Sequence, residues 1–105
     1  MTLGQPLNGT DNGPDLLREK GLVQGLTKLD WRVDDTGNLK LPKSSRTDPS
    51  LAKSMGKAKN CYAVGKGNEL LYQACLASAR DENFTLVIGG DHSVGIGSVA
   101  AALKA

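Results

Sequence analysis

One pentapeptide gathers the residues able to do chemistry. Gly89-Gly90-Asp91-His92-Ser93 holds the sole histidine among 105 residues. A glycine pair lets the backbone turn sharply and approach a ligand closely, and the next three residues supply a carboxylate, an imidazole and a hydroxyl. A Ser-His-Asp triad is one reading, but its side chains must converge from separate segments, and three neighbours do not share one proton path. A Walker-type phosphate loop is a second. It needs a lysine followed by Ser or Thr after its last glycine, and no lysine stands between Lys66 and Lys104. The related dinucleotide fingerprint GxGxxA is imitated by Gly95-Ile96-Gly97-Ser98-Val99-Ala100, but inside an expected helix and with no room for the acidic ribose contact about 20 residues further on. Metal ligation is the third reading, with neutral His92 as a ligand and Asp91 in the first or second coordination shell. Against it stands a histidine merely hydrogen-bonded at a turn between two elements. On residue types alone these last two readings both stay open.

The elements that must position this segment follow from pattern. Phe84-Thr85-Leu86-Val87-Ile88 is a short apolar run of the kind found in a parallel strand covered on both faces. In open α/β sheets, ligands bind beyond the carboxyl ends of such strands. Val94 to Lys104 reads as the following helix, with Ser93 available as its cap. Asn60 to Arg80 reads as the main helix, with Val64, Leu71, Ala74, Cys75 and Ala79 on one face. Upstream, residues 3–13 are an irregular loop, and Gly13-Pro14-Asp15 opens a helix that Gly21 stops. Leu22, Leu26 and Leu29 mark a second short helix, and Trp31 to Asp34 a short strand. Asn38 to Lys59 is a long loop, with a turn of helix near Leu51 to Met55. Helix–strand–helix order predicts an α/β fold containing part of a parallel sheet. Two strands leave two bare edges, so further strands are expected outside these residues.

Composition narrows the classes. Thirteen glycines, ten alanines and 4% aromatic residues leave little side chain to bury, and the expected core is thin. No apolar run approaches the ~20 residues that span a bilayer, and no basic segment leads into an apolar one at the start. Cys61 and Cys75 are 14 residues apart in one expected helix, a rise of roughly 21 Å, whereas a disulfide needs Cα atoms within about 7 Å. Both are expected to be thiols in a reducing compartment, cytoplasmic or mitochondrial, and the chain is not expected to be secreted. Net charge is +2, with seven basic residues against Asp48 between Thr36 and Gly67. Residues 36–59 thus form a basic loop, better explained as a solvated connection than as a nucleic-acid surface, with only Tyr62 nearby to stack on.

Gly89 to Ser98 resembles the first metal-binding signature of the ureohydrolases, the arginase and agmatinase family, and Phe84 to Ile88 resembles the strand that carries it. Gly4-Gln5-Pro6, Gly9, Gly13-Pro14, Leu17-Arg18 and Gly21-Leu22 resemble the arginase branch in particular. The resemblance implies a parallel-sheet, three-layer α/β fold and hydrolysis of the guanidino group of L-arginine to ornithine and urea. It also implies two manganese ions and a homotrimer, with no nucleic acid or membrane as partner. His92 would ligate one manganese, and Asp91, Gly89, Gly90 and Ser93 would shape the loop around it, Asp91 as a second-shell candidate. Two divalent ions can hold a hydroxide at neutral pH, and that nucleophile attacks the guanidinium carbon. The family's other ligands lie in an Asp-Ala-His-x-Asp segment and a later pair of aspartates, and neither occurs in the 13 residues after His92. Residues 1–105 are therefore expected to be the N-terminal part of one arginase-like domain, lacking its first strand and C-terminal portion and inactive alone. The alternatives are a catalytically dead product that acts only by associating with a full-length homologue and, further off, a nucleotide-binding module.

Overall fold

The computed structural model describes residues 1–4, 7, 9–41 and 60–105. A 3-10 turn at Thr10–Asn12 leads into helix α1, Gly13–Glu19, with Pro14 in its first turn and Asp15 at the positive end of its dipole. Gly21 takes a left-handed conformation (φ 91°), and its N–H donates to the Arg18 carbonyl at 3.0 Å. That closes α1, as the sequence predicts, and α2, Leu22–Lys28, follows at once. Neither short helix has a buried residue. Beyond α2, the Arg18 guanidinium grips Asp35 through two bonds, Nε to Oδ2 at 2.7 Å and Nη2 to Oδ1 at 2.9 Å. Nη1 of Arg18 donates to Asn38 at 2.5 Å, and Asn38 donates to Asp15 at 2.8 Å, which pins residues 35–38 to α1.

The principal helix is α3, Cys61–Arg80. Its buried positions are Ala63, Gly67, Asn68, Leu71, Cys75 and Leu76, so the inward face is turned slightly from the expected one. Leu71 and Cys75 lie inside as predicted, whereas Ala74 is exposed and Val64 and Ala79 are half-buried. The turn follows from the partner. Helix α4, Gly95–Lys104, packs along α3 through Gly97 and Ala101, and whatever faces these small residues is what becomes buried. Leu71, Cys75, Leu76 and Ala101 form the core, with Tyr72, Val87 and Val94 against it. Burial of each leucine there contributes about 1.5–3 kcal/mol. Cys61 and Cys75 are not joined by a disulfide, and burial pushes the Cys75 thiol above its ordinary pKa.

The α/β expectation is corrected by this architecture. The described residues form helices, 3-10 turns and irregular segments, with no strand among them. Trp31 to Asp34 and Phe84 to Ile88 both lie outside any regular element. Apolar and β-branched residues suit a pleated, half-buried surface, but a strand exists only as one side of a hydrogen-bonded ladder. Neither run has such a ladder to another segment among the described residues. Side chains join them instead, through tilted rings of Trp31 and Phe84 whose centroids are 5.7 Å apart. The expected turn of helix near Leu51 to Met55, and residues 42–59 of the basic loop, lie outside the described residues.

Candidate functional site

The Gly89–Ser93 segment enters α4 through a 3-10 turn, His92–Val94. Asp91, rather than Ser93, caps that turn: its Oδ1 accepts the Ser93 N–H at 2.9 Å and also the Ser93 hydroxyl. An aspartate suits this position because the first N–H groups of a helical turn lack partners within it. Oδ2 accepts the Gly4 N–H at 2.8 Å, and the Asp91 N–H donates to the Met1 carbonyl at 3.0 Å. The aspartate thus fastens residues 1–4 to the loop. Burial alone would raise its pKa, but the Ser93 hydroxyl and the backbone N–H groups of Ser93 and Gly4 outweigh burial and hold it below the ordinary value.

Both glycines are there for room. A side chain at Gly90 would run into the Met1 carbonyl and Thr2, and one at Gly89 would meet Val94 Cγ1 at 2.5 Å. Val94 in turn packs on the core. His92, at the head of the turn, is exposed, while its carbonyl accepts the Gly95 N–H. The structure therefore brings Gly89, Gly90, Asp91 and Ser93 into one compact loop and leaves the imidazole at the surface.

Sequence reasoning passed over one member of this assembly. Asn68, on α3, is 6% exposed, and its Oδ1 accepts the Gly97 N–H at 2.8 Å while its Nδ2 donates to the Val64 carbonyl at 3.0 Å. Val94, the residue preceding α4, makes no side-chain cap. The spacing held a signal, because Asn68 stands three residues before Leu71 and seven before Cys75, on the core face of a helix. Gly97 is a close contact between helices: a Cβ there would lie 2.6 Å from the Asn68 carbonyl oxygen. That packing accounts for the second glycine of the GxGxxA imitation, whereas a Cβ at Gly95, the first, would meet nothing within 4 Å.

A model of the arginase family matches residues 1–105. The chain belongs to the arginase family. It is 34% identical to the arginase of Bacillus caldovelox over 104 residues, covering 99% of this chain and 34% of that protein. Against the arginase of Bacillus subtilis (strain 168) the identity is also 34%, over 99% of this chain and 33% of the relative. Arginase-1 of Xenopus laevis is 36% identical over 97 residues, 92% of this chain and 29% of that protein. The chain spans about a third of the length of the curated relatives it matches. No helix among the described residues is long and apolar enough to cross a membrane. Nor does any group of three His, Cys, Asp or Glu side chains converge among them as a metal cage would require. One exposed imidazole, beside a carboxylate already committed to Gly4 and Ser93, does not make up a site for two manganese ions.

Proposed function

We propose that these residues form one part of an arginase-type hydrolase, which converts L-arginine to ornithine and urea, and that His92 is their contribution to its metal centre. The match to the arginase family along the whole chain carries this reading. The site geometry is in keeping with it, since the Asp91 cap, the two glycines and Val94 hold the His92 backbone while the ring stays exposed. Asp91 serves the loop through Gly4 and Ser93, so its role is to fix the turn rather than to donate to metal. The homotrimer and the arginine substrate belong to the same reading.

Because the donors present do not complete a site, the 105-residue chain by itself is expected neither to retain manganese through desalting nor to release urea from arginine. Urea release by the purified chain, abolished in His92→Ala, would show that completeness was misjudged. The constructive test replaces the matching third of Bacillus caldovelox arginase with residues 1–105. That chimera is expected to release urea with manganese, and His92→Ala to lower the rate at least about 100-fold, the upper end of what losing a mere outer-shell partner costs. An unchanged rate in the substituted chimera sinks the assignment of His92.

A further inference from the structure

We propose that Asn68 is a positioning residue for the His92 turn, acting by capping α4 from the neighbouring helix. The proposal rests on the reading of His92 given above, and four observations carry it. Asn68 is buried, and a buried amide persists where its hydrogen bonds are made. Its Oδ1 takes the N–H of Gly97, in the first turn of α4, where helix donors have no partner within the helix. The residue in the usual capping position, Val94, has no side-chain oxygen to offer. Finally, Gly97 lacks the Cβ that would drive the two helices apart at this level.

From Gly97 the path to the imidazole is short. The Gly95 N–H donates to the His92 carbonyl, and the Ser98 hydroxyl donates to the Val94 carbonyl at 2.9 Å. The 3-10 turn and the start of α4 are therefore one hydrogen-bonded unit, and the Asn68–Gly97 bond sets its height along α3. Asp91 fastens the same unit to residues 1–4 on its other side. With the Gly97 bond broken, α4 loses its register at the end that carries His92, while the contact of Ala101 with Leu71 and Leu76 further along persists.

The test is nuclear magnetic resonance on the metal-free 105-residue chain at one fixed pH, where the single histidine gives an unambiguous ring signal. In the unsubstituted chain, a scalar coupling across the hydrogen bond is expected between the Gly97 amide nitrogen and the Asn68 side-chain carbonyl carbon. Its absence overturns the proposal. Asn68→Leu keeps the branched shape and removes both the acceptor and the Nδ2 donor to Val64; Asn68→Asp loses that donor alone and keeps the acceptor. The leucine variant is expected to speed Gly97 amide exchange at least about tenfold and to shift the His92 ring signals, with Leu71 and Ala101 methyl signals in place. The aspartate variant is expected to restore both. His92 signals indifferent to Asn68→Leu overturn the proposal. So does collapse of both variants alike, which makes Asn68 a support of the fold and not of the turn. Because no metal is present, these outcomes are independent of whether His92 ligates manganese, which the chimera decides.

Discussion

Two carboxylates, Asp35 and Asp91, show how far local partners can set the behaviour of identical side chains. The Arg18 guanidinium donates two bonds to Asp35, the Gly37 N–H donates a third, and together they bring its pKa from 3.8 down to about 2. The sign of the linkage follows. A lowered folded-state pKa means that the stabilisation is complete above about 3.8 and is lost as pH falls through about 2. Carboxyl carbon titration is expected to place the Asp35 midpoint near 2, and Arg18→Leu to return it toward 3.8. A midpoint unmoved by that substitution would mean that the guanidinium is not the cause. Asp91 has backbone and hydroxyl donors rather than a cation, so its bonds fix a loop where those of Asp35 fasten a segment to a helix. The sequence showed the Asp91 position plainly, because two glycines and a histidine flank it. Arg18 with Asp35 was not legible, since nothing in a separation of 17 residues says that the chain folds back there.

At the level of elements, helix ends decide where the chain turns. Past α3, the Glu82 N–H bonds to the Ala79 carbonyl at 3.1 Å and the Asn83 N–H to the Ser78 carbonyl at 3.2 Å, with Glu82 left-handed at φ 59°. This double closure satisfies the last carbonyls but places a residue with a Cβ where glycine is favoured. Glu82→Gly is therefore expected to raise stability by about 1 kcal/mol in urea unfolding. A loss instead would show that the left-handed turn is not populated in solution. All four helices among the described residues were legible: Pro14 and Gly21 bound the first, and leucine spacing marks the second. The two expected strands are absent among the described residues. Phe84 to Ile88 has the composition of a strand, but the ladder that would make it one depends on a neighbour that composition does not name.

For the molecule as a whole, small residues bring α3 and α4 close, while large ones remain outside. Leu103 is 84% exposed, Phe84 77% and Ile96 66%, and no large side chain among the described residues is fully buried. So thin a core is expected to leave the isolated chain below about 5 kcal/mol of folding stability. The dye ANS is expected to fluoresce in its presence at neutral pH, because apolar patches of this kind bind it. Replacing Ile96, Val99 and Leu103 together with serine is expected to reduce that signal by at least about half, and an unchanged signal would place the dye elsewhere.

Family, helices and the His92 loop could all be read along the chain, because each depends on residues close in sequence. A glycine pair before Asp-His-Ser, a proline at a helix start and apolar spacing at three and four residues are local signals with local causes. What only packing in three dimensions decided is which polar groups met across that order. Asp91 turned out to hold Gly4, 87 residues away, and Asn68 to cap a helix 29 residues further on. Spacing could place Asn68 on a core face, but it names no partner for such groups, because these bonds form only once the core has brought separate helices and loops together. That is also why one histidine was visible from the outset, while the asparagine proposed to hold it in place was not.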